Sequence, residues 1–350
     1  MKNKIHVRSI VCGIVFLCIG VSVISAYPAD QFGSQTRGNT LYVGGSGPGN
    51  YTSIQEAIDN STNGDIIFVY NGTYNENIDT KLKKIDLVGE DREITVIDGQ
   101  TSSPTVKIGT SDVSISGFTI LGTSPEAAVQ VVSLAENIII SDNIIQNGGY
   151  GVDLLITTSK ITVTGNKIHQ NTYIGIRLQT STFNTISYNI IEDNGGQGID
   201  LSLGSSHNNI SNNIVTNNGE EGILIQGIAS TINIVEENIV NDNYIGVRFS
   251  SAGSNTIYSN NIQGNTMEGV LIQTSSENTI EMNNFIDNKR QATFKISSRN
   301  TWDANYWDNW VGVKFSAPIF QKFPKAIVGG LRINFDKNPA LEPYNITVTI

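Results

Sequence analysis

The sequence predicts an all-β chain: a single-stranded right-handed parallel β-helix, or solenoid, with an N-terminal capping helix and an aromatic C-terminal cap. Three observations carry this. Asparagines at positions 143, 166, 189, 213, 238, 261 and 284 recur at intervals of 23 to 25 residues. A glycine follows each at eight or nine places (Gly151, Gly175, Gly198, Gly222, Gly246 and Gly269, with Thr293 in the last coil). One and three places beyond each stand only apolar residues, from Val152 and Leu154 to Phe294 and Ile296, while the position between is mostly polar. Period two is the signature of a strand with one buried face. Strands this short are stable only when stacked on their counterparts about 4.8 Å away, and a fixed repeat stacks them all in one direction.

At the N-terminus, Lys2, Lys4 and Arg8 precede an uncharged apolar run, Ile10 to Ala26, as in an export signal or an uncleaved anchor. The expected location is therefore extracellular, cell-surface or periplasmic, with membrane contact only through residues 1–26. Both cysteines, Cys12 and Cys18, lie in that run, so no disulfide is expected beyond it.

Next, Ser53 followed by Glu56 reads as a capping box, and Ile54, Ala57 and Ile58 give a short helix one apolar side. It is expected to lid the first coil, because an open solenoid end exposes core and unpaired backbone. The coils themselves are assigned to residues 40–300. Their asparagines are expected in turns that need left-handed backbone, with amides stacked as a ladder, and their glycines at the tightest bends. Residues 301–350 form the closing segment. Trp302, Tyr306, Trp307 and Trp310 are read as its plug, an aromatic platform for sugars being the alternative.

A formal charge of −10 argues against nucleic acid as a partner. Asn50, Asn60, Asn71, Asn209 and Asn345 head acceptor triplets for N-glycosylation.

At Tyr51-Thr52-Ser53-Ile54-Gln55-Glu56-Ala57-Ile58, at Ile66 to Tyr70 with Gly72-Thr73-Tyr74, and at Asn305-Tyr306-Trp307, the chain resembles right-handed β-helix proteins with short Asn-rich repeats. These are the NosD-like and carbohydrate-binding surface proteins of the pectin-lyase-like group. The NosD resemblance implies an envelope accessory role in copper-enzyme maturation. Soft-metal sites need clustered Cys, Met or His, whereas beyond residue 26 the chain offers only Met267, Met282, His169 and His207, at non-equivalent repeat positions. No metal or cofactor is therefore expected. The two histidines are read as turn residues without stacked partners.

Relatives bind polysaccharides in grooves along one sheet, so the outward file is the candidate site. Asp153, Arg177 and Asp200 are expected on three successive coils, with Arg248 further along and Gln179, Gln226 and Gln273 beside them. Arginine, carboxylate and amide in file suit sugar hydroxyls and uronate carboxylates. A solvated ladder of mutually paired charges is the plainer reading.

Three catalytic alternatives share these residues. Asp153 and Asp200, about 9.6 Å apart at the backbone, approach the carboxyl separation of inverting glycosidases. Tyr150-Gly151-Val152-Asp153 resembles the first half of the mannuronan epimerase motif, with Leu154 and Leu155 where its Pro-His would stand. A lyase would use Arg177 or Arg248 as base. Each would act on an acidic glycan, and the sequence reading favours a non-catalytic protein that binds or contributes to surface polysaccharide.

Overall fold

Alternating aliphatic residues wind this chain into a parallel β-solenoid of about 12 turns. The structure, a computed structural model, describes residues 38–310, 324–329 and 332–350. The expected export segment and its two cysteines lie outside these residues. Among the described residues no helix is long and apolar enough to cross a membrane.

Each coil contributes one short strand to each of three sheets, of fourteen, eleven and ten strands in the order the chain visits them. Like residues stack as predicted: Val152 on Ile176, Ile176 on Ile199, Ile199 on Ile223, and Ile223 on Val247. All five are fully buried. Fully burying each such side chain contributes about 1.5–3 kcal/mol, so the dry stack is the main stabilising term.

The first end is closed by a helix, Ile54–Asn60, whose Ile54, Ala57 and Ile58 enter the core. Ser53 caps it, accepting from the Glu56 amide, but the reciprocal half of the capping box comes from elsewhere. The Glu76 carboxylate accepts from the amides of Ile54 and Gln55 and from the Ser53 hydroxyl, at 2.7–3.0 Å. A carboxylate there complements the positive end of the helix dipole.

At the other end, pairing continues through Thr301–Asp303 and Tyr306–Trp307. Trp302 and Trp307 are buried, and the Trp307 ring stacks on Phe285 at 4.4 Å. They fill the core instead of facing solvent. An antiparallel hairpin, Lys325–Gly329 with Arg332–Asp336, follows.

Amide ladders run along the axis. The longest joins Asn143, Asn166, Asn189, Asn213, Asn238, Asn260, Asn283 and Asn305. In every rung the backbone N–H of one asparagine donates to the Oδ1 of the next, and the Nδ2 does the same from Asn143 to Asn305 at 2.9–3.1 Å. The polarity never reverses. At the far end the Asp336 carboxylate accepts from the Asn305 N–H and Nδ2 and from the Trp307 indole.

Four expectations are corrected here. The marker residues near the end are Asn260 and Asn283, one place before Asn261 and Asn284. Asn261 instead pairs with Ile239 at the outward start of a strand. The ladder asparagines are also not the left-handed residues: that backbone belongs to the residue just before each, such as Asp142, Tyr188, Glu237 and Met282. Asparagine is required at the next place because its buried amide both donates and accepts along the axis. The repeat glycines, in turn, sit at close approaches. A Cβ on Gly222 would lie 2.7 Å from Val240 Cγ1 and 2.8 Å from both the ladder amide of Asn243 and the carbonyl of Gly246.

Finally, the last coil is shorter than assigned. Gln291, not Thr293, stands opposite Gly269, because Glu268 pairs with Arg290 and Val270 with Ala292. Thr293 and Lys295 therefore follow Leu271 and Gln273 on the outer face, and Ile296 is 87 % exposed. Gln291 takes the glycine place where a second ladder ends, its Oε1 accepting from Asn288 Nδ2.

Candidate functional site

A backbone jog at each repeat glycine decides which side chains reach the outer face of the ten-stranded sheet. Tyr150 pairs with Ile174 and Val152 with Ile176, with Gly151 skipped between them, so the residue before the glycine and the residue two after it both point outward. Two files result. One is Tyr150, Ile174, Gln197, Glu221, Ile245 and Glu268. The other is the predicted file, with Asp153 beside Arg177 and Arg177 beside Asp200, then Leu224 and Arg248. Gln179, Gln226 and Gln273 lie beyond it, Gln179 opposite Ser202 and Ser250 between Gln226 and Gln273.

The arginines are not free. Arg177 makes a two-pronged pair with Asp153 on the coil before, Nε to Oδ1 at 2.9 Å and Nη2 to Oδ2 at 2.8 Å, over a carboxylate that is 1 % exposed. Its guanidinium carbon lies 3.6 Å above the Tyr150 ring, within cation–π range. Burial works against the Arg177 charge, but the Asp153 hydrogen bonds and charge outweigh it and raise its pKa. Arg248 donates from Nη1 to Glu221 at 2.8 Å and from Nη2 to Gln273 at 3.0 Å. Arg290 closes on Glu268. Glu221 and Glu268 were missed from sequence, although each stands directly before a repeat glycine.

Asp200 has no cation of its own. It is 5 % exposed and accepts from Gln226 Nε2 at 3.0 Å. Burial, with the nearby Glu221 charge adding to it, pushes its pKa up to about 6 against the hydrogen bonds of Gln226 and Ser202 and the charge of Arg177.

Of the two histidines, His169 ends a strand, Lys167–His169, and so is not in a turn. His207 is in a left-handed turn, but its ring stacks on Phe183 of the preceding coil at 4.8 Å, so it does have a stacked partner.

A family model described as "Periplasmic copper-binding protein (NosD)" matches residues 33–224 and 111–312. No curated protein matches. Among solved structures, the A-module of the mannuronan C-5 epimerase AlgE4 of Azotobacter vinelandii is similar with a TM-score of 0.67 and 17 % identity, over 72 % of this chain and 82 % of that one. The Dettilon tailspike protein is similar with a TM-score of 0.64 and 16 % identity, over 77 % and 62 %. XylC in complex with xylose gives a TM-score of 0.59 at 10 % identity, over 76 % and 75 %. At these identities the likeness is one of fold.

Copper does not fit the donors present. Among the described residues no three His, Cys, Asp or Glu side chains are grouped to hold a metal. His169, His207, Met267 and Met282 stand on separate coils, and the Met267 sulfur is engaged by Lys289.

Proposed function

The chain belongs to the NosD family, and from that premise we propose that it is an envelope β-helix protein whose ten-stranded outer face holds a polysaccharide without cleaving it. The observation that carries the reading is this in-register face itself, where successive coils line up carboxyl, guanidinium, amide and aromatic groups along one axis. Structural neighbours with the same fold include proteins named for a polysaccharide or a sugar, the mannuronan epimerase and the xylose complex.

The state of each ionisable group favours holding over cleaving. Hydrolysis with inversion needs one protonated carboxyl and one free carboxylate that activates water. Asp200 suits the first role, but both oxygens of Asp153 are bonded to Arg177. A lyase base must shed its proton, whereas Asp153 holds Arg177 in the charged form. The epimerase-like Tyr150 to Asp153 segment continues into Leu154 and Leu155, so an apolar side chain, Leu155, stands where that motif would have its histidine.

Incubation with a panel of acidic and neutral polysaccharides tests this. The expected result is retention of an intact polymer. Shortened or unsaturated products would establish catalysis instead.

A further inference from the structure

Resting on that reading, we propose that the glycan is a linear, uncharged polymer lying along the solenoid axis, with sugar faces on Tyr173 and Tyr244. These residues occupy one file at the corner bordering the ten-stranded face. The chain of backbone bonds from Gly196 N–H to the Tyr173 carbonyl, Glu220 N–H to Gly196 and Tyr244 N–H to Glu220 puts them three coils apart. At one rung per coil their separation is about 14 Å, a span of a few pyranose units. Both rings are solvent-exposed, at 44 % and 50 %. Tyr150, 5.7 Å from Tyr173 between ring centres and pinned under Arg177, extends the first platform onto the face. An amphipathic ring of this kind stacks on an apolar surface while its hydroxyl stays wet.

Charge selects against a uronate polymer. Arg177, Arg248 and Arg290 each answer an acidic residue that is itself only 1–5 % exposed, Asp153, Glu221 and Glu268. A uronate drawing off any of these guanidiniums would strand a buried anion, which is strongly unfavourable. Asp200 adds an acid without a cation, and Glu220, exposed, lies in the file between the two tyrosines. The formal charge of the whole chain, −10, repels a polyanion further.

Affinity electrophoresis of the full chain through gels containing soluble xylan, mixed-linkage β-glucan, polymannuronate or polygalacturonate, at low and high salt, tests the inference. A neutral polymer is expected to retard the protein equally at both salt concentrations. Tyr173→Ala and Tyr244→Ala should each weaken retardation roughly two- to tenfold, while Tyr173→Phe with Tyr244→Phe keeps it. Retardation by a polyuronate that fades with salt and is lost in Arg177→Ala would overturn the uncharged class and leave the glycan reading standing. Neutral retention untouched by both alanine changes would overturn the tyrosine rail. Retention by no polymer would remove both readings.

Discussion

Replacing Asn260 by Ala should be far more damaging than replacing its neighbour Asn261, although the two are chemically identical and adjacent. The Asn260 amide donates to the carbonyls of Val235 and Tyr258 and to Asn283 Oδ1, at 2.8–3.0 Å. Its Oδ1 accepts from the N–H and Nδ2 of Asn238, both at 2.9 Å. Asn238 Nδ2 keeps two other acceptors, Ile210 and Glu236, so the group left without a partner is its buried N–H. One orphaned donor costs about 1–3 kcal/mol and the other lost bonds about 0.5–1.5 kcal/mol each. A loss of roughly 3–5 kcal/mol follows if the site relaxes in part. The Asn261 side chain bonds only to other side chains, at 3.4 Å to Gln263 and 3.2 Å from Asn284, and its backbone bond to Asn238 survives replacement, so the change should stay within about 1 kcal/mol. Urea titration followed by far-ultraviolet circular dichroism measures both. Equal shifts, or a larger one for Asn261→Ala, would refute the assignment of Asn260 to the ladder and the energetics drawn from it.

Other consequences are open to the same assay. Arg177→Ala strands the buried Asp153 carboxylate and should cost about 3–5 kcal/mol, much of it restored when Asp153→Ala is added, which a double-mutant cycle would reveal; simple additivity would contradict the pair. Asp200 has its pKa raised to about 6 in the folded chain from the ordinary 3.8. Its folded form therefore prefers the proton, so stability is fullest below pH 3.8 and declines as pH rises through 6, by about 3 kcal/mol for this group. Asp200→Asn should flatten that dependence, and a pH–stability profile unchanged by it would be decisive against the shift. Gly222→Ala, whose Cβ would press within 2.8 Å of the next coil's carbonyl, should destabilise the chain by more than 1 kcal/mol, whereas a neutral effect would show that the coils can part there. Asp336→Ala removes the acceptor of three buried donors and should speed hydrogen exchange in the last coils first, with Asp336→Asn intermediate.

What the sequence made legible was whatever repeats as a type of residue. Val152, Ile176 and Ile199 announce their stacking because burial demands an aliphatic at one fixed phase, and the outward phase of Asp153, Arg177 and Asp200 follows automatically. Asn260 and Asn261 could not be told apart, since both are asparagine and only the inward geometry distinguishes them. Gln291 was hidden by a turn one residue short, which moves Thr293 and Ile296 out of the phase that spacing alone assigns. Glu221 and Glu268 were legible in principle: a glycine too crowded for a Cβ forces the preceding side chain outward. Their pairing with Arg248 and Arg290 was not: the first runs diagonally to the next coil, and the second depends on the shortened last turn that brings Arg290 opposite Glu268. The hairpin residue Asp336 lies 31 positions from Asn305, outside the repeat, and so carried no periodic signal.

Stacked β-arrays are inherently extensible, and an amide column that offers its donors at one terminus invites another molecule to continue it, as in amyloid. Asp336 answers those donors with a group that has no hydrogen to hand onward, and Trp307 shares the same oxygen. The column is thus terminated chemically as well as covered sterically. Growth into fibres is denied at that tip, and the solenoid keeps a fixed length.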